Sequence, residues 1–167
     1  KNNYLLDRRE LILVSNTKYI NKNKDLSIAE GQNVLIGAPN FGDAQLVPQL
    51  PGTKKELTMV DSILRTKDIH SDIYLGQEAN KNIMLNIESP NILHVATHGY
   101  FMEDVVSSGS MFMGIQVEKA RNNPLLRAGL MLSGAAKSIN KEVSTNKADG
   151  LINAYEVSNL NLTNTNL

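Results

Sequence analysis

Apolar residues in this chain fall in short runs of four to six, separated by polar stretches and, twice, by a helical stripe. That rhythm is one of buried strands alternating with amphipathic helices. Glu10-Leu-Ile-Leu-Val14 reads as a first short strand, followed by Ser15, Asn16 and Thr17, and Asn21 to Asp25 as a solvated turn. Residues 33 to 38, Asn-Val-Leu-Ile-Gly-Ala, end at Pro39, Asn40 and Gly42 and suit a strand covered on both faces, the first of a parallel set. Past Pro51-Gly52, Thr53 and Glu56 fit a capping box. Leu57, Val60, Ile63 and Leu64 share one stripe, so a helix is expected over 53–66. Ser71 to Leu75 reads as a strand, Asn80 to Glu88 as a helix with Ile83, Met84 and Ile87 inward, and 91–97 as the next strand, set up by Pro90. Three strands joined by two helices imply a parallel sheet with right-handed crossovers.

The pattern weakens after residue 101. Residues 102–123 hold one apolar island, Met111-Phe112-Met113-Gly114-Ile115, compatible with a lid, an extra hairpin or a partner contact; the expected reading is an insertion packed on its own domain. Leu130 to Ser133 reads as a short strand, Ala136 to Ala148 as a polar loop and Asn153 to Leu160 as a third helix. The last residues, Asn161-Leu-Thr-Asn-Thr-Asn-Leu167, are too polar to close a domain, and the pattern predicts another buried strand immediately after Leu167. Without it, an interior strand edge would lack its neighbour, and an ordered structure of these residues is expected to contain that strand as a separate chain segment. At 167 residues the chain is read as one partial domain, 1–167.

Composition narrows the classes. Net charge is +0, with 17 basic and 17 acidic residues, and aromatics are 5%, so no basic stacking surface for nucleic acid is expected. No apolar run approaches the roughly 20 residues of a membrane span, and the first residues lack the apolar core of a signal peptide. The expectation is a soluble cytoplasmic protein without a membrane partner. Cysteine is absent, which excludes disulfide stapling.

Candidate chemistry concentrates in residues 91 to 101, Asn-Ile-Leu-His-Val-Ala-Thr-His-Gly-Tyr-Phe. Open α/β folds carry their chemistry at the carboxyl ends of strands. A neutral imidazole there takes a proton from a nucleophile, and an adjacent glycine lets a bare backbone N–H approach an oxyanion. His98 and Gly99 occupy those places, whereas His94 lies inside the strand and reads as a core histidine hydrogen-bonded to backbone. His70 reads as an exposed turn residue. His94 and His98 also have the spacing of a helical metal pair, but on a strand residues four apart are about 13 Å distant, too far for one zinc ion. No metal and no cofactor are expected. Ser133 ends a strand before Gly134 but lacks the Gly-x-Ser-x-Gly elbow. Gly37 to Gly42 lacks the Gly-Lys-Ser/Thr ending of a phosphate loop and reads as a strand-to-loop turn.

Several motifs in fixed order carry a resemblance: Leu50-Pro51-Gly52-Thr53-Lys54-Lys55-Glu56, His94-Val95-Ala96-Thr97-His98-Gly99-Tyr100-Phe101, Asn123 to Ala135 (Asn-Pro-Leu-Leu-Arg-Ala-Gly-Leu-Met-Leu-Ser-Gly-Ala) and Asp149-Gly150-Leu151-Ile152. With Tyr4-Leu5-Leu6-Asp7-Arg8 and Val34-Leu35-Ile36-Gly37, they make nearly the whole chain similar to the CHAT family of caspase-like peptidases. The resemblance implies an α/β fold, a caspase-like three-layer sandwich with a mostly parallel central sheet, here truncated before the cysteine-bearing strand. It implies a cysteine endopeptidase in which His98 is the catalytic histidine and Gly99 N–H holds the oxyanion. The thiol, and a second N–H from the same cysteine, would come from a Ser-Ala-Cys-Glu-Thr-Gly type segment beyond Leu167, so the chain alone is expected to be inactive. The Leu130–Ser133 segment would be one arm of a small hairpin, with Asp149-Gly150-Leu151 leading to the other; Asp149 reads first as a turn residue and second as a substrate-pocket residue. Implied partners are a protein or peptide substrate, the cysteine-bearing segment and a tetratricopeptide-type or other regulatory module. The alternative is a catalytically silent module that binds and regulates a partner protein.

Overall fold

The computed structural model describes residues 31–103, 111–112, 115–139, 150–163 and 165. The expected strand at 10–14, the turn at 21–25, the 4–8 motif and Asp149 lie outside them. Strand β1 (Asn33–Pro39) is apolar on both faces, and strand alternation sends Val34 and Ile36 to one side and Leu35 to the other, all three fully buried. A strand apolar on both faces fits the middle of a covered sheet. β1 lies there, between β2 (Asp72–Gly76) and β3 (Ile92–Ala96) and parallel to both.

On the Leu35 face lies helix α1 (Pro51–Arg65), which begins two residues before the expected 53 with proline in its first turn, where a missing N–H costs nothing. Its Leu57 is fully buried against Leu35 and Ala96, with Val60, Ile73 and Leu75 around them. Gly37 leaves the room: a Cβ there would lie 2.8 Å from Leu57 Cδ1. Two expectations for this helix fail. Ile63 is 63% exposed, because the buried stripe is only as wide as the three strands beneath it. The capping box is also absent, since Leu50 occupies the N-cap without a side-chain bond. Thr53 Oγ1 instead donates to Leu50 O (2.8 Å) and accepts from Ala38 N (2.9 Å), where the chain leaves β1 with a positive φ of 45°.

The opposite face packs Val34 and Ile36 against Ala79, Met84, Ile87, Leu132 and Ile152. Helix α2 is shorter than expected, Lys81–Leu85, capped by Asn80 Oδ1 accepting from Ile83 N (3.0 Å); Asn86 closes it before Glu88. After β3, strand β4 (Gly99–Phe101) begins a second sheet. Beyond it come the hairpin β5 (Met111–Phe112) and β6 (Ile115–Gln116), helix α3 (Val117–Asn122), a 3₁₀ turn at Pro124–Leu126, and strand β7 (Ala128–Met131). The apolar island is therefore an extra hairpin. Residues 135–139 form a helix, α4 (Ala135–Ile139), not a polar loop, because Ala135, Ala136 and Ser138 are buried. Strand β8 (Leu151–Asn153) and helix α5 (Ala154–Ser158) follow. Asn153 and Glu156 form the capping box of α5, and Glu156 Oε1 also takes Lys81 Nζ at 2.8 Å, tying α5 to α2.

The second sheet is antiparallel in the order β4-β7-β8, so the expected hairpin of β7 and β8 is present with a third strand on its outer side. After α5 the chain returns beside the lead-in to β3: Glu88 and Asn161 form a parallel bridge, and Ser89 N donates to Asn161 O (2.7 Å). Among the described residues, β3 pairs with β1 alone, and no helix is long and apolar enough to cross a membrane.

Candidate active site

Three hydrogen bonds fix the end of β3. Thr97 Oγ1 donates to Met131 O, Met131 N donates to His98 O (2.8 Å), and Met102 N donates to Arg127 O (2.7 Å). The chain therefore passes from the parallel sheet into the antiparallel one with His98 at the junction. The imidazole of His98 is half-buried, with Nε2 2.9 Å from the carbonyl oxygen of Pro48. A carbonyl only accepts, so Nε2 carries the hydrogen, and in the neutral ring Nδ1 is left as the acceptor. The ring lies against Phe41, with centroids 5.2 Å apart and planes at 41°.

Both supports are themselves held. Phe41 is fully buried with Val47, Tyr100, Ala135, Ala136 and Leu151, and its carbonyl accepts from Ala136 N at 2.9 Å. Pro48 follows a turn in which Asp43 O accepts from Val47 N (3.0 Å) and Asp43 Oδ1 accepts from Gln45 N (2.8 Å). A backbone carbonyl and a buried ring thus set the position and tautomer of His98, and among the described residues no carboxylate bonds to it.

Gly99 is exposed, and a Cβ on it would meet only Gly129 O, at an ordinary 3.7 Å. Packing therefore does not demand glycine here. Paired with Leu130, it sits between two hydrogen-bonded pairs of the β4/β7 ladder, so its own N–H points away from β7. His98 and Gly99 thus present, side by side, a proton acceptor and an outward N–H, the two groups an acyl-transfer site needs besides its nucleophile.

The other sequence candidates lie elsewhere. His94 is not bonded to backbone in a sealed core: its side chain is 34% exposed and its Nε2 lies 3.1 Å from Glu56 Oε1 on α1. Two groups assigned other roles, a core histidine and a capping glutamate, instead pair across α1 and β3. His70 is exposed, as expected. Ser133 lies in the turn after β7, its N–H donating to Ala79 O at 2.8 Å. No group of three His, Asp or Glu residues converges among the described residues, and His94 and His98 turn to separate partners. Sequence reasoning missed Pro48 and Phe41. A main-chain carbonyl has no residue signature, and only the Asn40-Phe41-Gly42 turn marked that region.

Comparison with curated proteins and with solved structures found no match. The CHAT domain family model, which describes caspase-like, peptidase-related domains, matches residues 1–167. With the motif order, the mixed α/β architecture and its parallel three-stranded sheet all compatible with that match, the chain belongs to the CHAT domain family.

Proposed function

We propose that these residues are the histidine-bearing part of a cysteine endopeptidase, with a caspase-like sandwich completed by a cysteine-bearing strand from outside the 167 residues. The observation that carries the reading is the pairing of His98, oriented through Nε2 by Pro48 O, with the outward N–H of Gly99. In the first step His98 Nδ1 takes the thiol proton as sulfur adds to the scissile carbonyl carbon, and Gly99 N–H donates to the oxyanion. The tetrahedral adduct then collapses, the C–N bond breaks, and the imidazolium gives its proton to the leaving amine. Water, deprotonated by the same Nδ1, hydrolyses the thioester and regenerates the thiol. Positioned proton transfer contributes about 10²- to 10⁴-fold to such a reaction. Asp149 is proposed as a substrate-pocket residue, the alternative being a turn residue only, and control by an attached or bound regulatory module is proposed on the family's account alone.

The test uses the full-length protein carrying these residues and a mixed-sequence peptide pool read by mass spectrometry. Cleavage that disappears in His98→Ala, together with labelling by an iodoacetamide probe that slows in the same variant, is expected. Cleavage that persists at near-parental rate in His98→Ala would overturn the dyad. The 167 residues contain no cysteine, which keeps a second reading in play, a catalytically silent module that binds a partner protein. Absence of both His98-dependent cleavage and probe labelling selects it.

A further inference from the structure

The two bonds that bracket β4, from Met131 N to His98 O and from Met102 N to Arg127 O, fix the direction of every main-chain polar group in the strand. Hydrogen-bonded and non-hydrogen-bonded pairs alternate along an antiparallel ladder. His98, Tyr100 and Met102 therefore turn theirs toward β7, while Gly99 and Phe101, opposite Leu130 and Ala128, turn theirs to the other edge. β4 is the terminal strand of its sheet, and among the described residues no strand pairs with that edge. The outer row reads Gly99 N–H, Gly99 C=O, Phe101 N–H and Phe101 C=O.

Exposed strand edges are ordinarily blunted by charge, proline or a covering segment. This one carries Phe101 at 72% exposure beside an exposed glycine. Its first group is the N–H proposed to hold the oxyanion, so a peptide carbonyl bound there already lies in register with the row. Successive outward groups on a strand repeat every two residues, about 6.6 to 6.8 Å, which is the repeat of an extended peptide. Three residues make too short an edge to hold two copies of the chain together, but enough to align a substrate that is also held at its reacting carbon.

We infer that the outer edge of β4 is a substrate-binding strand. An extended peptide adds to it as a fourth strand, hydrogen-bonded to the outward groups of Gly99 and Phe101, with the Phe101 ring against one of its side chains. The inference rests on the endopeptidase reading, and it assigns to β4 the recognition of main chain rather than of a particular sequence.

The full-length protein is given one peptide that it cleaves in a His98-dependent manner and a set of analogues methylated at one backbone nitrogen each. Every second nitrogen on one side of the scissile bond is expected to be sensitive, with kcat/KM falling roughly tenfold per hydrogen bond lost. The side affected gives the direction in which the peptide runs along β4. Phe101→Pro removes the outward N–H without touching the β7 ladder, a substitution edge strands accept. It should lower kcat/KM for the unmodified peptide by a similar factor while leaving the methylation penalties in place, because those report peptide N–H groups donating to the Gly99 and Phe101 carbonyls, which proline keeps. Uniform tolerance of methylation overturns the inference, and that reading survives any instability of the variant. Parental kcat/KM for the unmodified peptide in folded Phe101→Pro places the peptide on another edge and overturns it too. Parental turnover with a change only in oligomeric mass, by light scattering, overturns it in favour of a second copy. If no peptide is cleaved in a His98-dependent manner, the endopeptidase reading itself falls and takes the inference with it.

Discussion

Gly129→Ala should separate the small antiparallel sheet from the candidate site it supports. Gly129 lies in β7, opposite Tyr100 of β4 and Asn153 of β8. A Cβ at this position would fall 2.1 Å from Ile152 O, 2.7 Å from the Tyr100 hydroxyl and 2.8 Å from Asn153 Cα. Two of the three obstacles are main chain. Carbon and oxygen settle no closer than about 3.3 Å, so β7 and β8 must part by about 1 Å. Forcing a methyl group into a packed region costs about 1–3 kcal/mol. At about 2–4 °C per kcal/mol for a domain of this size, Tm falls by about 2–12 °C. Because β4 hangs on β7, Gly99 moves as well, and a 1 Å misplacement of a reacting group costs up to about 10²-fold in rate. The control is Gly52→Ala, in the first turn of α1 with nothing within 4 Å of its Cβ, expected to lie within about 0.5 kcal/mol of the parent. Thermal unfolding of both variants in the full-length protein, with peptide turnover below the transition, is the assay. A Gly129→Ala protein that melts with Gly52→Ala would refute the packing account of β7.

His94→Ala removes a hydrogen-bonded contact to Glu56 whose side chains are 34% and 49% exposed, so stability measured in urea should change by less than about 1 kcal/mol and turnover should stay near parental, unlike His98→Ala. Leu57→Ala empties the centre of the α1 face, and urea unfolding should show a loss of about 2–5 kcal/mol. The Arg65 guanidinium and the Ser71 hydroxyl hold the Asp61 carboxyl below its ordinary range. A depressed folded pKa contributes stability above the unfolded pKa, lost as pH falls through the folded one. Asp61→Asn should therefore be less stable than the parent at pH 7, and the gap should close as urea midpoints are followed below about pH 4. Adding EDTA should leave peptide cleavage unchanged; loss of activity restored by zinc would return His94 and His98 to a metal role.

Burial explains which parts of the fold were legible. The runs at 33–38 and 91–97 sit in a covered parallel sheet, where continuous apolar sequence and strand coincide, and β1 and β3 appear there. Helix 81–85 was read too long because Ile87 is buried like a helical residue while reaching the core from an extended segment. The 135–139 helix was missed because it buries alanines and a serine, which leave no hydrophobic stripe. Glu56 was read as a local cap because its distant partner, His94, is 38 residues away. At the candidate site, the place of His98 and Gly99 just past β3 was legible because strand end and glycine are local features. Pro48 was not, since its contribution is an oxygen every residue possesses.

That last point bears on how the site can vary. With a carbonyl as the acceptor for His98, no single substitution deletes the orienting group, and residue 48 is free to change as long as the turn from Asp43 to Leu50 keeps its path. The constraint falls on loop length instead. One residue inserted between Phe41 and Pro51 would leave His98 and Gly99 unchanged in the sequence and still turn the imidazole, so this part of the candidate site depends on a spacing and not on an identity.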